Sequence, residues 1–326
     1  MRAPDFWHRP DAGAAALLSP FSCLWHVAGA ARRGLTRPWR APVPVVCVGN
    51  LVAGGAGKTP VALSLAALLG ARGAAVHMLS RGHGGTLGGP VLVDPAIHSA
   101  RDVGDEPLLL AQAAPTWVAR DRAAGARAAV AAGAGLLLMD DGFQNPGLEK
   151  DLSLLVVDGG YGFGNGRVIP AGPLREPVET GLARASAVVI LGEDTCGVAA
   201  MLRGGPPILR AQLRLDGAAD LIGKRVLPFA GIGRPEKFYT SLRALGCEVV
   251  AHWDFADHHP YTPEEVMGIW DEAKARNAIA VTTAKDFVRL PEDARTLVRA
   301  VEVTVDWADQ AALDRLLDLA LVARGA

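Results

Sequence analysis

From Val46 to Thr59 the chain reads Val-Cys-Val-Gly-Asn-Leu-Val-Ala-Gly-Gly-Ala-Gly-Lys-Thr. An apolar run ends in a turn of small residues, and Lys58-Thr59 open a stretch with helical spacing. That order aims backbone N–H groups and the positive end of a helix at a phosphate chain. In this register Lys58 reaches the β- and γ-oxygens, and Thr59 offers its hydroxyl to Mg²⁺. The nucleotide-binding segment is therefore read as Val52, Ala53, Gly54, Gly55, Ala56, Gly57, Lys58 and Thr59. The strict G-x-x-x-x-G-K-[ST] spacing puts glycine at position 52, where this chain has valine, so the loop is the G-G-x-G-K-T variant. A chance glycine-rich turn is the competing reading. The agreement of strand, loop and helix argues against it.

Working outward, Leu136-Leu137-Leu138-Met139 ends in Asp140-Asp141. Carboxylates at the end of a strand beside a phosphate loop hold the Mg²⁺ that Thr59 also reaches. An Asp pair in that place also serves as a turn or helix cap. Further strands are expected at 43–48, 75–79, 117–119, 136–139, 152–157 and 188–191, with helices at 59–71 and 121–132. Strands separated by crossover helices predict an α/β fold, a P-loop NTPase-like parallel sheet sandwiched by helices. A Gly/Pro-rich loop at 159–177 is long enough to be functional. After about Leu215 a second, smaller α/β unit is expected. Its strands fall at 226–230, 248–252, 278–282 and 301–305, and its helices at 236–245, 263–276 and 310–321. The expected division is 1–40, 41–215 and 216–326.

The first forty residues stand apart. Arg2, Arg9, Arg32, Arg33, Arg37 and Arg40 face only Asp5 and Asp11, a local charge of +4 in a chain whose net charge is −1. Between the basic flanks, residues 13–31 carry His26 as the one ionisable side chain of the charged kind. Ser19-Pro20 reads as a helix start, with Phe21, Leu24, Trp25 and Ala28 on one face. An interfacial helix on an anionic leaflet accounts for the pattern, and a helix packed on the protein's own core is the alternative. A secretory signal is not expected, because no small-residue cleavage site precedes the phosphate loop.

Composition bounds the rest. The chain has 326 residues, half of them hydrophobic and 21% charged, which excludes a disordered protein. The charge balance disfavours a nucleic-acid binder. Cys23, Cys47, Cys196 and Cys247 form no C-x-x-C pair, so neither a disulfide framework nor a zinc site is expected, and a reducing compartment fits. Thr283-Ala284-Lys285-Asp286 lacks the [NT]-K-x-D spacing of guanine readers, and Ala53 replaces the extra lysine of partitioning ATPases. Both absences favour a kinase using ATP.

A set of motifs then occurs in order: Gly-Gly-Ala-Gly-Lys-Thr-Pro, Leu-Ser-Arg-Gly-His-Gly (79–84), Gly-Asp-Glu-Pro-Leu (104–108) and Asp-Asp-Gly-Phe-Gln (140–144). Pro-Ala-Gly-Pro-Leu-Arg-Glu-Pro (170–177), Phe-Ala-Gly-Ile-Gly-Arg-Pro-Glu-Lys-Phe (229–238), Phe-Ala-Asp-His-His (255–259) and Thr-Thr-Ala-Lys-Asp (282–286) follow. The set resembles the tetraacyldisaccharide 4′-kinases, the lipid A 4′-kinases of Gram-negative bacteria, over nearly the whole chain. The resemblance implies transfer of the ATP γ-phosphate to the 4′-hydroxyl of a tetraacyldisaccharide 1-phosphate, giving lipid IVA. It also implies a membrane-embedded lipid substrate, an anionic inner-membrane surface, work from the cytoplasmic face and no obligatory protein partner.

A sugar hydroxyl is a poor nucleophile, and a carboxylate that aligns it and accepts its proton helps. Asp105 opens a helix-like run and is the candidate base; by residue type alone the N-cap reading comes first, and the family's Asp–His pair reverses that order. The family's Asp–His pair implies His258 as its partner, with Asp257 supporting the histidine and metal region. Lys58 completes the catalytic set. Arg81, Arg122, Arg175 and Glu176 match charged family positions, the arginines as phosphate ligands or surface salt bridges. Asn145, His83 and Arg234 depart from the histidine, tyrosine and asparagine common in relatives. A rival reading is a membrane-associated P-loop ATPase switch acting on a protein partner, which would have no need of Asp105.

Overall fold

A computed structural model of the protein describes residues 4–8 and 13–322. Arg2, Arg9 and Asp11 of the N-terminal flank lie outside them. After helix α1 (Gly13–Leu35) the chain enters β1 (Val45–Gly49), whose five residues are all buried. A strand covered on both faces has no polar side, which is why it reads as an unbroken apolar run. The glycine turn then leads into α2 (Lys58–Ala71), β2 (Val76–Ser80) and the short β3 (Val91–Leu92). Helices α3 (Ala100–Val103) and α4 (Asp105–Leu110) precede β4 (Thr116–Val118), α5 (Arg122–Ala131) and β5 (Leu136–Asp140). Next come β6 (Leu152–Asp158), α6 (Val178–Leu182), β7 (Ala187–Leu191), α7 (Val198–Met201) and β8 (Ile208–Asp216).

Strands β4, β2, β5, β1, β6, β7 and β8 lie side by side and parallel in that order. Period-two alternation splits their side chains between two cores. Val46, Val48, Leu136 and Leu138 face α2, where Val61, Leu65 and Leu69 meet them; Val45, Cys47, Leu137 and Met139 face Ala126 and Ala129 of α5. Each fully buried leucine is worth about 2 kcal/mol of transfer free energy.

The remaining elements are β9 (Arg225–Ala230), α8 (Pro235–Leu245), β10 (Glu248–Val249), β11 (Trp253–Asp254) and α9 (Pro263–Ala275). They are followed by β12 (Ile279–Thr283), α10 (Ala284–Phe287), β13 (Arg299–Trp307) and α11 (Gln310–Val322). Strands β10, β9, β12 and β13 form a second parallel set. An antiparallel ladder from Glu302↔Asp216 to Trp307↔Ala211 fuses β13 to β8, giving one sheet of 13 strands. Helix α11 returns to the first set: Leu313, Leu317 and Ala320 pack in the core that holds Leu65 and Leu69, and Arg72 pairs with Asp314 and, at 2.9 Å, with Asp318.

Three sequence expectations are corrected. The strand expected at 248–252 is two separate pairs of residues, β10 and β11, both running beside β9. Strand β8 was not anticipated, although Leu209, Ala211, Leu213 and Leu215 alternate with polar residues. Helix α1 begins at Gly13 rather than at Ser19-Pro20. Inside it the Ser19 hydroxyl donates back to the Ala15 carbonyl at 2.9 Å, the local bond that lets serine sit within a helix.

The seat of α1 is narrow and polar. Ser22 Oγ donates to the Val168 carbonyl at 2.6 Å, Trp25 Nε1 to the Arg175 carbonyl at 3.1 Å, and Arg167 to Ser19 Oγ at 2.8 Å. All three contacts fall on the 159–177 loop. Leu17, Phe21, Leu24 and Val27 point away, with 59–81% of their surface exposed. By length and composition α1 is long and apolar enough to cross a membrane.

Candidate active site

The phosphate loop is built as its letters require. Gly57 caps α2 with φ +83°, and a Cβ there would lie 2.2 Å from a Leu191 methyl, so only glycine fits. Val52 is buried, pairs with Leu174 and is absent from the positive-φ residues, so the missing glycine leaves no strain at that position. Ala53 N donates to the Pro173 carbonyl and Arg175 N to the Leu51 carbonyl, both at 2.7 Å. These bonds stitch the 159–177 loop to the phosphate loop, leaving Gly54 and Gly55 exposed.

Lys58 and Thr59 sit buried at the head of α2. Thr59 Oγ1 donates to Asp140 Oδ2 at 3.0 Å, while Lys58 Nζ lies 3.8 Å and Arg175 Nη1 2.7 Å from Asp141 Oδ1. The two carboxylates are driven apart. Burial, then the charge of Glu106, pushes Asp140 up to about 7. Burial also works against ionisation of Asp141, but Lys58 and Arg175 more than offset it and hold that group down to about 2.

Asp140 Oδ1 is buried without a hydrogen-bond partner. An orphaned carboxylate oxygen beside a threonine hydroxyl is what a hard divalent cation requires. No group of three or more His, Cys, Asp or Glu side chains suited to a metal occurs among the described residues. The donor set therefore fits Mg²⁺ that takes its other ligands from water and phosphate, rather than a closed protein cage.

Across the site, Asp105 opens α4 and is 4% exposed. Its Oδ1 accepts from Glu106 N at 2.9 Å, and its Oδ2 meets His258 Nδ1 at 2.8 Å. Arg289 Nε lies 3.5 Å from the same Oδ2. Burial raises the Asp105 pKa, but the His258 hydrogen bond and the charges of Lys285, His258 and Arg289 outweigh it and hold the group at about 2. His258 has φ +61° and Asp141 φ +51°. Non-glycine residues in this region cost on the order of 1–3 kcal/mol and persist where the surroundings over-determine them, commonly at functional sites. Asp257 Oδ1 lies 3.8 Å from His258 Nε2, and the His83 ring stands edge-on to His258 at 5.8 Å.

The two halves of the site touch. A Cβ on Gly233 would lie 3.6 Å from Gly55 N and 3.7 Å from Asp257 Oδ2, so the loop before α8 rests on the phosphate loop. Lys285 Nζ meets Glu106 at 3.0 Å, joining α10 to α4. Arg234, the replacement for the relatives' asparagine, donates to Asp158 at 2.7 Å and lies over the Tyr161 ring at 4.3 Å, while Lys237 shares that carboxylate.

The other anticipated residues fall in different settings. Arg122 is 3% exposed, donates to the Ala119 carbonyl and has an unpartnered Nε, and burial lowers it to about 10. This is not the setting of a surface salt bridge. Arg81 is exposed, with its charge felt at Arg122. Glu176 is 2% exposed and meets Arg184, Arg33 at 3.4 Å and Gln144 at 3.1 Å. Asn145 Oδ1 accepts from Gly147 N at 2.9 Å. Arg289, Lys285, Glu106 and Asp158 were not anticipated as site residues. Lys285 lay inside a quoted motif, whereas no local pattern marks Arg289.

Comparison with known proteins gives a consistent result. The family model described as tetraacyldisaccharide-1-P 4′-kinase matches residues 14–322. A tetraacyldisaccharide 4′-kinase of Rhodospirillum centenum is 61% identical over 323 residues, covering 97% of this chain and 96% of that protein. One from Gluconacetobacter diazotrophicus is 56% identical over 321 residues, covering 98% of each. The crystal structure of the Aquifex aeolicus kinase described as an "apo" form in complex with ATP superposes with a TM-score of 0.76 at 28% identity, covering 94% of this chain and 99% of that one. With its phosphate loop, paired aspartates and Asp–histidine contact in place, this chain belongs to the tetraacyldisaccharide 4′-kinase family.

Proposed function

We propose that the protein transfers the γ-phosphate of ATP to the 4′-hydroxyl of a tetraacyldisaccharide 1-phosphate, forming lipid IVA in lipid A biosynthesis. The observation that carries the reading is the pairing of two chemistries in one cleft: a phosphate loop with its carboxylates, and a buried, ionised Asp105 held by His258. A nucleotide switch needs the first and has no use for the second.

Backbone amides at 54–59 and Lys58 grip the triphosphate. Thr59, with Asp140 and Asp141, would hold Mg²⁺, which when bound neutralises charge developing on the β- and γ-oxygens. Asp105 orients the acceptor hydroxyl and receives its proton as the bond to phosphorus forms. At a pKa of about 2 it is a weak base, which suits a loose transition state where alignment counts for more than basicity. His258 fixes the Asp105 carboxylate, with Asp257 behind it. Arg122, Arg175 and Arg81 supply guanidinium groups for phosphate oxygens of nucleotide or substrate, and Glu176 orders the arginines around it.

Residues 1–40 form the membrane-contacting segment, 41–215 the kinase unit and 216–326 the smaller α/β unit, whose last helix lies on the kinase core. The exposed apolar side of α1 and its arginines support a seat on the cytoplasmic face of the inner membrane, where the acyl chains of the substrate remain in the bilayer. No nucleic acid and no obligatory protein partner enter the reaction. The test is transfer from γ-labelled ATP to the lipid disaccharide in detergent. A labelled lipid IVA product is expected, and a folded, ATP-binding enzyme that makes none overturns the reading.

A further inference from the structure

Among the described residues Arg289 is the one guanidinium paired with Asp105, and it comes from the far unit. It lies two residues beyond α10 and its side chain is 4% exposed. Nη1 donates to the His259 carbonyl at 3.0 Å, and Nη2 donates to the Gly231 carbonyl at 2.9 Å and to Asp286. Nε donates to the Lys285 carbonyl at 3.4 Å and lies 3.5 Å from Asp105 Oδ2, so it meets that carboxylate as a charge contact. The Tyr261 ring lies 5.5 Å from the guanidinium carbon. Asp286 is fully buried and accepts from Gly231 N and Tyr261 OH at 2.8 Å and from Thr283 Oγ1 at 2.6 Å, so the anchor is rigid in its turn. A buried arginine held at this many points is expensive to desolvate, and its fork is a fixed tool rather than a mobile charge.

The consequence is an asymmetry between the two oxygens of Asp105. Oδ2 is held from two sides, by the His258 hydrogen bond and the Arg289 charge at 3.5 Å, whereas among the described residues Oδ1 accepts the Glu106 amide alone. We propose that Arg289 is a positioning residue for phosphoryl transfer: with His258 it clamps Oδ2 so that Oδ1 is left to take the acceptor hydroxyl. This rests on the reading of Asp105 as the acceptor-side carboxylate. The groups around Asp105 are Glu106 on its own helix, and Lys285, Asp257, His258 and Arg289 from the far unit, with His83 against the His258 ring. The same contact makes the geometry of Asp105 depend on the seating of the C-terminal unit, because both clamps belong to it.

Arg289→Met, which keeps the apolar stem, tests the assignment in two backgrounds. In the otherwise wild-type enzyme kcat is expected to fall at least tenfold while KM for ATP stays within twofold, and Arg289→Lys recovers part of the rate. With Asp105→Asn already present, Arg289→Met is expected to cost less than a further twofold, because Arg289 acts through the missing carboxylate. A structural role costs the same factor in both backgrounds, and that result overturns the inference, as does a wild-type rate in Arg289→Met. Removing Arg289 strands Asp286, so if Arg289→Met fails to bind ATP the charge-neutral pair Arg289→Met/Asp286→Asn replaces it; failure of that pair to bind ATP also overturns the inference. A full rate in Asp105→Asn alone sinks the reading of Asp105 itself. An impaired Asp105→Asn beside a harmless Arg289→Met sinks only the clamp.

Discussion

Individual side chains carry the sharpest expectations. Lys58 is buried against Asp141 at the mouth of the phosphate loop, where Arg175 also meets that carboxylate. Lys58→Ala is expected to lower kcat/KM by about a thousandfold, a loss typical of removing one fixed charge from a phosphoryl-transfer site. Asp105→Asn keeps shape and loses proton acceptance, so kcat should fall about 10²–10⁴-fold with ATP affinity, read by titration, nearly unchanged. The same residue leaves a mark on stability. Its folded pKa of about 2 lies below the ordinary value of 3.8, so its stabilising contribution is complete above about pH 4 and is lost as pH falls toward 2. That contribution is about 2 kcal/mol. Urea unfolding between pH 6 and pH 3 should therefore show wild type losing more stability than Asp105→Asn; parallel curves would contradict the assignment.

At the scale of elements, α1 is the clearest case. Its polar edge is spent on the 159–177 loop, and Leu17, Phe21, Leu24 and Val27 of its apolar side are exposed. Replacing Phe21 and Leu24 with Asp removes about 4 kcal/mol of apolar burial at a bilayer surface and adds repulsion from anionic lipid. Flotation with anionic vesicles should show binding reduced more than tenfold, with ATP binding in solution unaltered. The helix was legible from composition, while its start was not. Ser19-Pro20 has the letters of a cap, yet the helix runs through them because Ser19 bonds within its own turn. Strand β8 shows the reverse. Its alternation is plain in the letters, but the strand bridges two units, and pairing with β7 on one side and β13 on the other gives those residues a place.

Across the whole molecule, the kinase core depends on the last helix of the second unit. Leu317 on α11 is fully buried among residues of α2, so Leu317→Ala should destabilise by about 2–5 kcal/mol, seen as a lower urea midpoint and a weakened nucleotide site together. The cation requirement is also global in effect. Chelation of divalent ions should abolish transfer while leaving the fold intact, since the protein supplies only part of the coordination shell. Circular dichroism before and after chelation checks the second half of that statement.

The sequence by itself determined the phosphate loop, the buried strands around it and the identity of the chemistry. Those signals are local: a strand, a turn and a helix start lie within fourteen residues, and each residue type answers to its immediate backbone. The tertiary structure alone decided which distant groups meet. Asp105 and His258 are 153 positions apart, and Glu106 and Lys285 are 179 apart. Their contacts follow from the register of the β8–β13 ladder that swings the second unit over the first, and periodicity along one segment carries no information about that register. Arg289 escaped notice for the same reason: a buried arginine looks like any surface arginine until the chain that covers it is in place.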